Sequence, residues 1–145
     1  MVRVKFDESQ ILLPLAKGVN QKIDPDFLKK IRKKRYELMR DTFYKYAPNV
    51  DNSVINAQLV ATALDRWAWF WSFIEPTIIL LLSAIIAWWQ ISFKYSLLYF
   101  GVTIVFILVA IFIYSSCKRA AKYEVDDILN DNNRKTEIKG VFNAL

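Results

Sequence analysis

Two stretches without a charged residue decide what this chain can fold into. The first covers residues 76–93 and the second residues 95–117, with only Lys94 between them. An α-helix rises about 1.5 Å per residue, so roughly 20 apolar residues cross a hydrocarbon core about 30 Å thick. The second stretch is long enough as it stands. The first reaches that length by extending back past Glu75 toward Trp67. A connection as short as 91–96 joins only antiparallel neighbours. The sequence therefore predicts an all-α membrane protein, a two-span transmembrane helical hairpin carrying amphipathic helices outside the bilayer. The spans are expected at about 71–91 and 96–116.

Aromatic residues mark the expected faces of that bilayer. Trp67, Trp69 and Trp71 lie at the start of the first span, and Trp88 and Trp89 at its end, followed by Phe93, Tyr95 and Tyr99. Trp and Tyr settle at the headgroup level, where the ring is buried and the N–H or O–H stays wet. Trp71 to Trp88 is about 25 Å of helix and Tyr99 to Tyr114 about 22 Å. Both separations fit two aromatic belts on one membrane, with the five Trp as interface anchors.

The flanks divide the chain into residues 1–66, 67–117 and 118–145. Near the N-terminus Val2, Val4 and Phe6 alternate with charged residues, which suggests a short strand, and Pro14 and Gly18 interrupt the stretch after it. Asp24-Pro25-Asp26 is a helix start: Asp caps, Pro suits the first helical position, and a second acid favours the dipole. A helix over about 25–46 is expected from there, with Phe27, Leu28, Ile31, Leu38, Met39 and Phe43 on its apolar stripe. Pro48 and two Asn then make a turn, and Ser53 is placed to cap a second helix over about 54–66 that continues into the first span. After Cys117 the second span is expected to run on as helix to about Leu129, stop at Asp131-Asn132-Asn133, and leave a polar tail ending in a slightly apolar stretch.

Charge distribution sets the expected orientation. Of 20 Lys and Arg, 13 precede Trp67, one lies between the spans and six come after Cys117. The positive-inside rule places both termini in the cytoplasm and Lys94 outside. The compact plan suggests a bacterial inner membrane.

Four features are candidates for function. Lys29, Lys30, Arg32, Lys33, Lys34 and Arg35 crowd one face of an amphipathic helix. Such a face attracts anionic lipid headgroups at about 1 kcal/mol per basic residue near the surface. An acidic partner or a nucleic acid competes for the same charge, but aromatics suited to base stacking are sparse. Glu75-Pro76 puts an ionisable group one turn inside the Trp71 belt, where it can snorkel or pair with Lys118 or Arg119; the plainer reading is a joint in the helix. Ser83, Ala87 and Gly101 are small residues that let helices approach in lipid. Cys117 is the single cysteine, which excludes an internal disulfide.

Absences narrow the classes further. There is no His and one Cys, so common zinc sites, His-based acid–base catalysis and iron–sulfur ligation are excluded. No Gly-rich phosphate loop occurs, and two spans are too few for a transporter in one chain. The expectation is a non-enzyme with no cofactor, no bound metal and no small-molecule substrate. It would act by binding another membrane protein or by self-association, as accessory subunits of secretion systems and immunity or exclusion proteins do. A pore-forming, holin-like effector is the alternative, although Thr77, Ser83, Gln90 and Thr103 form no polar stripe. A tether for anionic lipid or nucleic acid is the second alternative.

Overall fold

A computed structural model describes residues 2–145, with side chains from residue 4 onward. The chain is all-α, with no strand among the described residues. It divides into two compact units. One contains Met1–Ala63 and Lys118–Leu145, the other Leu64–Cys117.

The first unit begins with helix where alternation suggested a strand. α1 (Val2–Phe6) passes into a π-helical stretch, Asp7–Leu12, and then into α2 (Leu13–Gly18). The apolar residues buried along it are Phe6, Ile11, Leu12, Leu15, Ala16 and Val19. Their spacing of one, three, four and five is helical, and it overrides the short alternation. In the wide turn the Leu13 N–H bonds to the Glu8 carbonyl, five residues back. That turn precedes Pro14, which has no N–H to give and would crowd a normal helix. Gly18 does not interrupt the helix. The stop is Asn20, at φ 59°. Gln21 N–H bonds to Ala16 O and Asn20 N–H to Lys17 O, both at 3.0 Å, which closes the helix end with Asn in the left-handed position. Gly18 serves packing instead, since a Cβ there would lie 2.3 Å from Leu129 Cδ1.

α3 (Pro25–Lys33) starts as its sequence dictates, with Asp24 accepting from the Phe27 N–H at 2.7 Å. The single helix expected to Tyr46 is instead three pieces. At Lys34 the backbone leaves the helix (φ −103°, ψ 19°), then come α4 (Arg35–Leu38) and a second π-helical turn, Met39–Phe43. Like charges three and four apart weaken a helix, and the break falls among the consecutive cations. The expected cap at Ser53 is also displaced. Tyr46 O takes the N–H groups of Val54 and Ile55, so α5 (Ala57–Gln90) begins later, with the Asn56 side chain accepting from Gln58 N–H at 2.9 Å.

α6 (Phe93–Leu129) ends where the sequence predicts, but Asp131 does more than stop it. Its carboxylate accepts from the N–H groups of Asn133 and Arg134 and opens α7 (Asn132–Asn143). The segment expected as a polar tail is thus a docked helix, with Ile138 and Phe142 buried and Phe142 against Phe27. Leu12, Leu15, Ile31, Ile128 and Ile138 have no exposed surface. Each such side chain contributes about 1.5–3 kcal/mol of burial.

The second unit is the hairpin, formed by residues 64–90 of α5 and 93–117 of α6. Both helices are long and apolar enough to cross a membrane, and only 17% of each most apolar window is buried. A soluble core helix would be mostly covered. Three contacts set an antiparallel register. Ser96 Oγ donates to Ala84 O at 2.9 Å, the Phe73 and Phe106 rings lie 5.4 Å apart, and Trp67 meets Tyr114 at 6.5 Å. The turn therefore centres on Ile91 and Ser92, not on Lys94. On this register Trp88 is level with the turn and Tyr99 lies about two turns deeper, so the Tyr pair and the Trp pair are offset by roughly 10 Å.

Candidate functional site

The hairpin seam repeats at steps of seven and is made of small residues except at Phe70. Ser96, Thr103, Ala110 and Cys117 are buried along α6, and Phe70 and Ala84 along α5, with half-buried Thr77 between them. Small side chains let two backbones approach in lipid, and a strict seven-residue repeat gives left-handed coiling. Ala87 belongs to this seam and Ser83 borders it. Gly101 does not belong to it. It is exposed, and a Cβ added there meets nothing within 4 Å.

Four hydroxyls in the hairpin are spent on backbone carbonyls, Ser96 across the seam and three within their own helix. Thr77 Oγ1 bonds to Phe73 O at 2.6 Å, Thr103 Oγ1 to Tyr99 O at 2.8 Å, and Ser72 Oγ to Ala68 O at 3.0 Å. In hydrocarbon an unbonded hydroxyl is costly, so these bonds satisfy the group where no water reaches. Glu75 is exposed and Pro76 sits within an unbroken helix. Glu75 makes no ion pair among the described residues. The register sets Glu75 level with Val105, and Lys118 lies thirteen residues further on, about 20 Å along the axis. Of the anchors, Trp67 is half-buried against Phe70 and Tyr114, while Trp69, Trp71, Trp88 and Trp89 are exposed.

In the other unit the basic run is split by residue type. Arg32 Nε reaches both oxygens of Glu8, at 2.9 and 3.2 Å. Arg35 Nη1 bonds to Asp7 Oδ2 at 2.9 Å, and Asp7 is only 8% exposed. The two arginines therefore fasten this stretch to the N-terminal helix. Lys30, Lys33 and Lys34 are exposed and form no ion pair among the described residues, and Lys29 meets only Asp26, its neighbour on the same helix. Arg suits the half-buried pairs because its planar fork matches a carboxylate, and Lys suits a hydrated face.

A second polar cluster ties the loop after Phe43 to α7. Lys45 and the Tyr46 hydroxyl both donate to Glu137, and Arg134 lies 5.9 Å from the Tyr46 ring centre. Arg134 also bonds to the carbonyls of Asp127 and Val54. The hydrogen bonds from Lys45 and Tyr46 hold the Glu137 carboxyl below its ordinary range. Burial, then the bond to Glu137, pushes the Tyr46 hydroxyl above its own. Sequence reasoning missed this cluster because its members lie about ninety positions apart.

It also missed Glu124. This residue is 4% exposed, seven positions beyond Cys117 on the same stripe of α6. It makes no hydrogen bond or ion pair among the described residues, and burial alone pushes its carboxyl up to about 8. The signal was available in the seven-residue spacing, which runs from Ser96 through Glu124. Among the described residues, no group of three or more His, Cys, Asp or Glu is placed to hold a metal ion.

Comparison with curated proteins and with solved structures gives no match. A family model does match, over residues 1–143, nearly the whole chain. The chain belongs to the YmfE protein family.

Proposed function

We infer that this is a non-enzymatic protein of the bacterial inner membrane, with both termini in the cytoplasm, that acts by binding another membrane protein. Accessory subunits and immunity or exclusion proteins work in this way. The observation that carries the reading is the division of labour within the hairpin. Its small seam residues and the hydroxyls of Ser72, Thr77, Ser96 and Thr103 are engaged internally, while its large apolar side chains point outward. Such a surface offers shape and apolar contact, with the Glu75 carboxylate exposed on it. The excess of Lys and Arg outside the hairpin supports the orientation. The free lysines of α3 and the turn after it suit anionic headgroups beside the partner, and nucleic acid is the poorer fit.

The test has two arms in bacterial cells expressing the chain. A photo-crosslinking residue at Gly101 or Leu108, both outward-facing, should trap a discrete membrane protein. A voltage-sensitive dye should report a steady membrane potential. Rapid depolarisation that scales with expression, absent for a scrambled hairpin of equal hydrophobicity, would overturn this reading in favour of a pore.

A further inference from the structure

Two acids are buried in the unit built from the two ends of the chain, and they are treated differently. Asp7 has Arg35 at 2.9 Å. Glu124 has no partner among the described residues, and its neighbours along the α6 face, Ala120, Ala121, Val125 and Ile128, are all buried. An ionised carboxylate in such surroundings must be paired or must take up a proton.

The other charged groups of this unit leave Glu124 alone. On α6 itself Lys122 and Asp126 are exposed, as are Lys118 and Arg119, and Asp127 accepts from the Asn56 N–H at 3.1 Å. That bond brings the start of α5 beside this part of α6, and Ala57–Ala63 carries no titratable side chain. Lys17 of α2 is exposed. On α7, Arg134 is bonded to backbone carbonyls, Glu137 to Lys45 and Tyr46, Lys135 is half-buried and Lys139 exposed. Glu8 is held by Arg32.

We propose that Glu124 is a proton-binding site, occupied when this unit is packed, and that losing the proton loosens the packing around the C-terminal part of α6. Linkage fixes the sign. The carboxyl is shifted to about 8 in the packed state, well above an ordinary Glu near 4.3. The packed state then holds one more proton than the open state between those two values. The stabilisation is complete below the ordinary carboxylate pKa and is lost as pH rises through the folded one. Within that window the opening equilibrium shifts about tenfold per pH unit. The cytoplasmic pH of most cells falls inside it, so the unit would respond to alkalinisation.

The experiment is hydrogen exchange on the full chain in lipid vesicles, corrected for intrinsic rates, at about pH 6 and about pH 9, chosen to bracket the shift. Amides of residues 118–129 should lose protection at the higher pH in the native chain. Glu124→Gln should keep equal protection at both. Loss of protection in Glu124→Gln to the same extent as in the native chain would overturn the proposal, as would a native chain indifferent to pH. Infrared difference spectra between the two conditions provide the second reading, independent of the variant's stability. A protonated carboxyl C=O band at the lower pH, absent in Glu124→Gln, supports the site, and its absence from the native chain rejects it.

Discussion

Ser96 donates its hydroxyl proton to the carbonyl oxygen of Ala84, 2.9 Å away, and this bond crosses from one helix of the hairpin to the other. It lies one turn from the tip and sets the register for the rest of the seam. Ser96 is 1% exposed and Ala84 not exposed at all, so neither position has room to grow.

Seam and outer face should respond in opposite ways to added volume. Ala84→Leu forces the helices apart and should destabilise the hairpin by about 1–3 kcal/mol. Ser96→Ala removes one interhelical hydrogen bond and should cost about 0.6 kcal/mol. Gly101→Ala adds a methyl into open space and should gain about 0.5–1 kcal/mol from helix propensity. Unfolding in mixed micelles measures all three. A Gly101→Ala loss equal to that of Ala84→Leu would contradict the assigned faces.

The arginines and lysines of the basic stretch should separate cleanly by role. Arg35→Met removes the arginine partner of the buried Asp7 and should cost about 1–3 kcal/mol. Arg32→Met breaks a more exposed pair and should cost under about 1 kcal/mol. Changing Lys29, Lys30, Lys33 and Lys34 together to Gln should leave the thermal midpoint nearly unchanged. The same quadruple change should reduce the salt-sensitive association of the chain's soluble face with anionic vesicles. Thermal denaturation, and capture of anionic vesicles at two salt concentrations by the chain held in zwitterionic nanodiscs, read both effects.

Glu137 predicts an acid-side dependence of the opposite sign to that of Glu124. Its carboxyl is held below the ordinary value by bonds from Lys45 and Tyr46. The stabilisation is present above the ordinary carboxylate pKa and is lost as pH falls through the folded one, below about pH 4. Glu137→Gln should flatten the acid limb of a stability-against-pH curve and leave the alkaline limb in place.

Orientation has a direct test. In a chain with Cys117→Ser, a cysteine at Lys94 should react with a membrane-impermeant maleimide in intact cells, and a cysteine at Lys30 should react only after lysis. The reverse pattern would invert the topology and move the lysine face to the other side.

What the sequence revealed about this fold depended on how local each signal was. The hairpin was legible because charge is absent over two long stretches, and desolvation leaves few alternatives there. The start of α3 was legible because Asp24 and Pro25 act within one turn. The N-terminal helix was misread because three alternating residues, Val2, Val4 and Phe6, carry too little periodicity to outweigh the burial of Leu12, Leu15 and Ala16 further along. α7 was missed because its apolar face is only Ile138, Phe142 and their neighbours. The basic run was visible as charge, yet nothing local says that Arg32 and Arg35 turn inward to acids more than twenty positions earlier. Gly101 was grouped with Ser83 and Ala87 on size alone, and size does not fix which side of a helix a residue occupies.

The seven-residue spacing of Ser96, Thr103, Ala110 and Cys117 also constrains how this hairpin can change in length. One residue inserted within the second span rotates every later side chain by about 100° around the axis. Large residues such as Val109 and Phe112 would then swing toward the seam and Ala110 away from it. Seven inserted residues restore the phase and merely lengthen the helix by about 10 Å. Viable length variants of this hairpin should therefore differ by whole heptads, matched on both helices of the pair, with tilt taking up smaller differences in bilayer thickness.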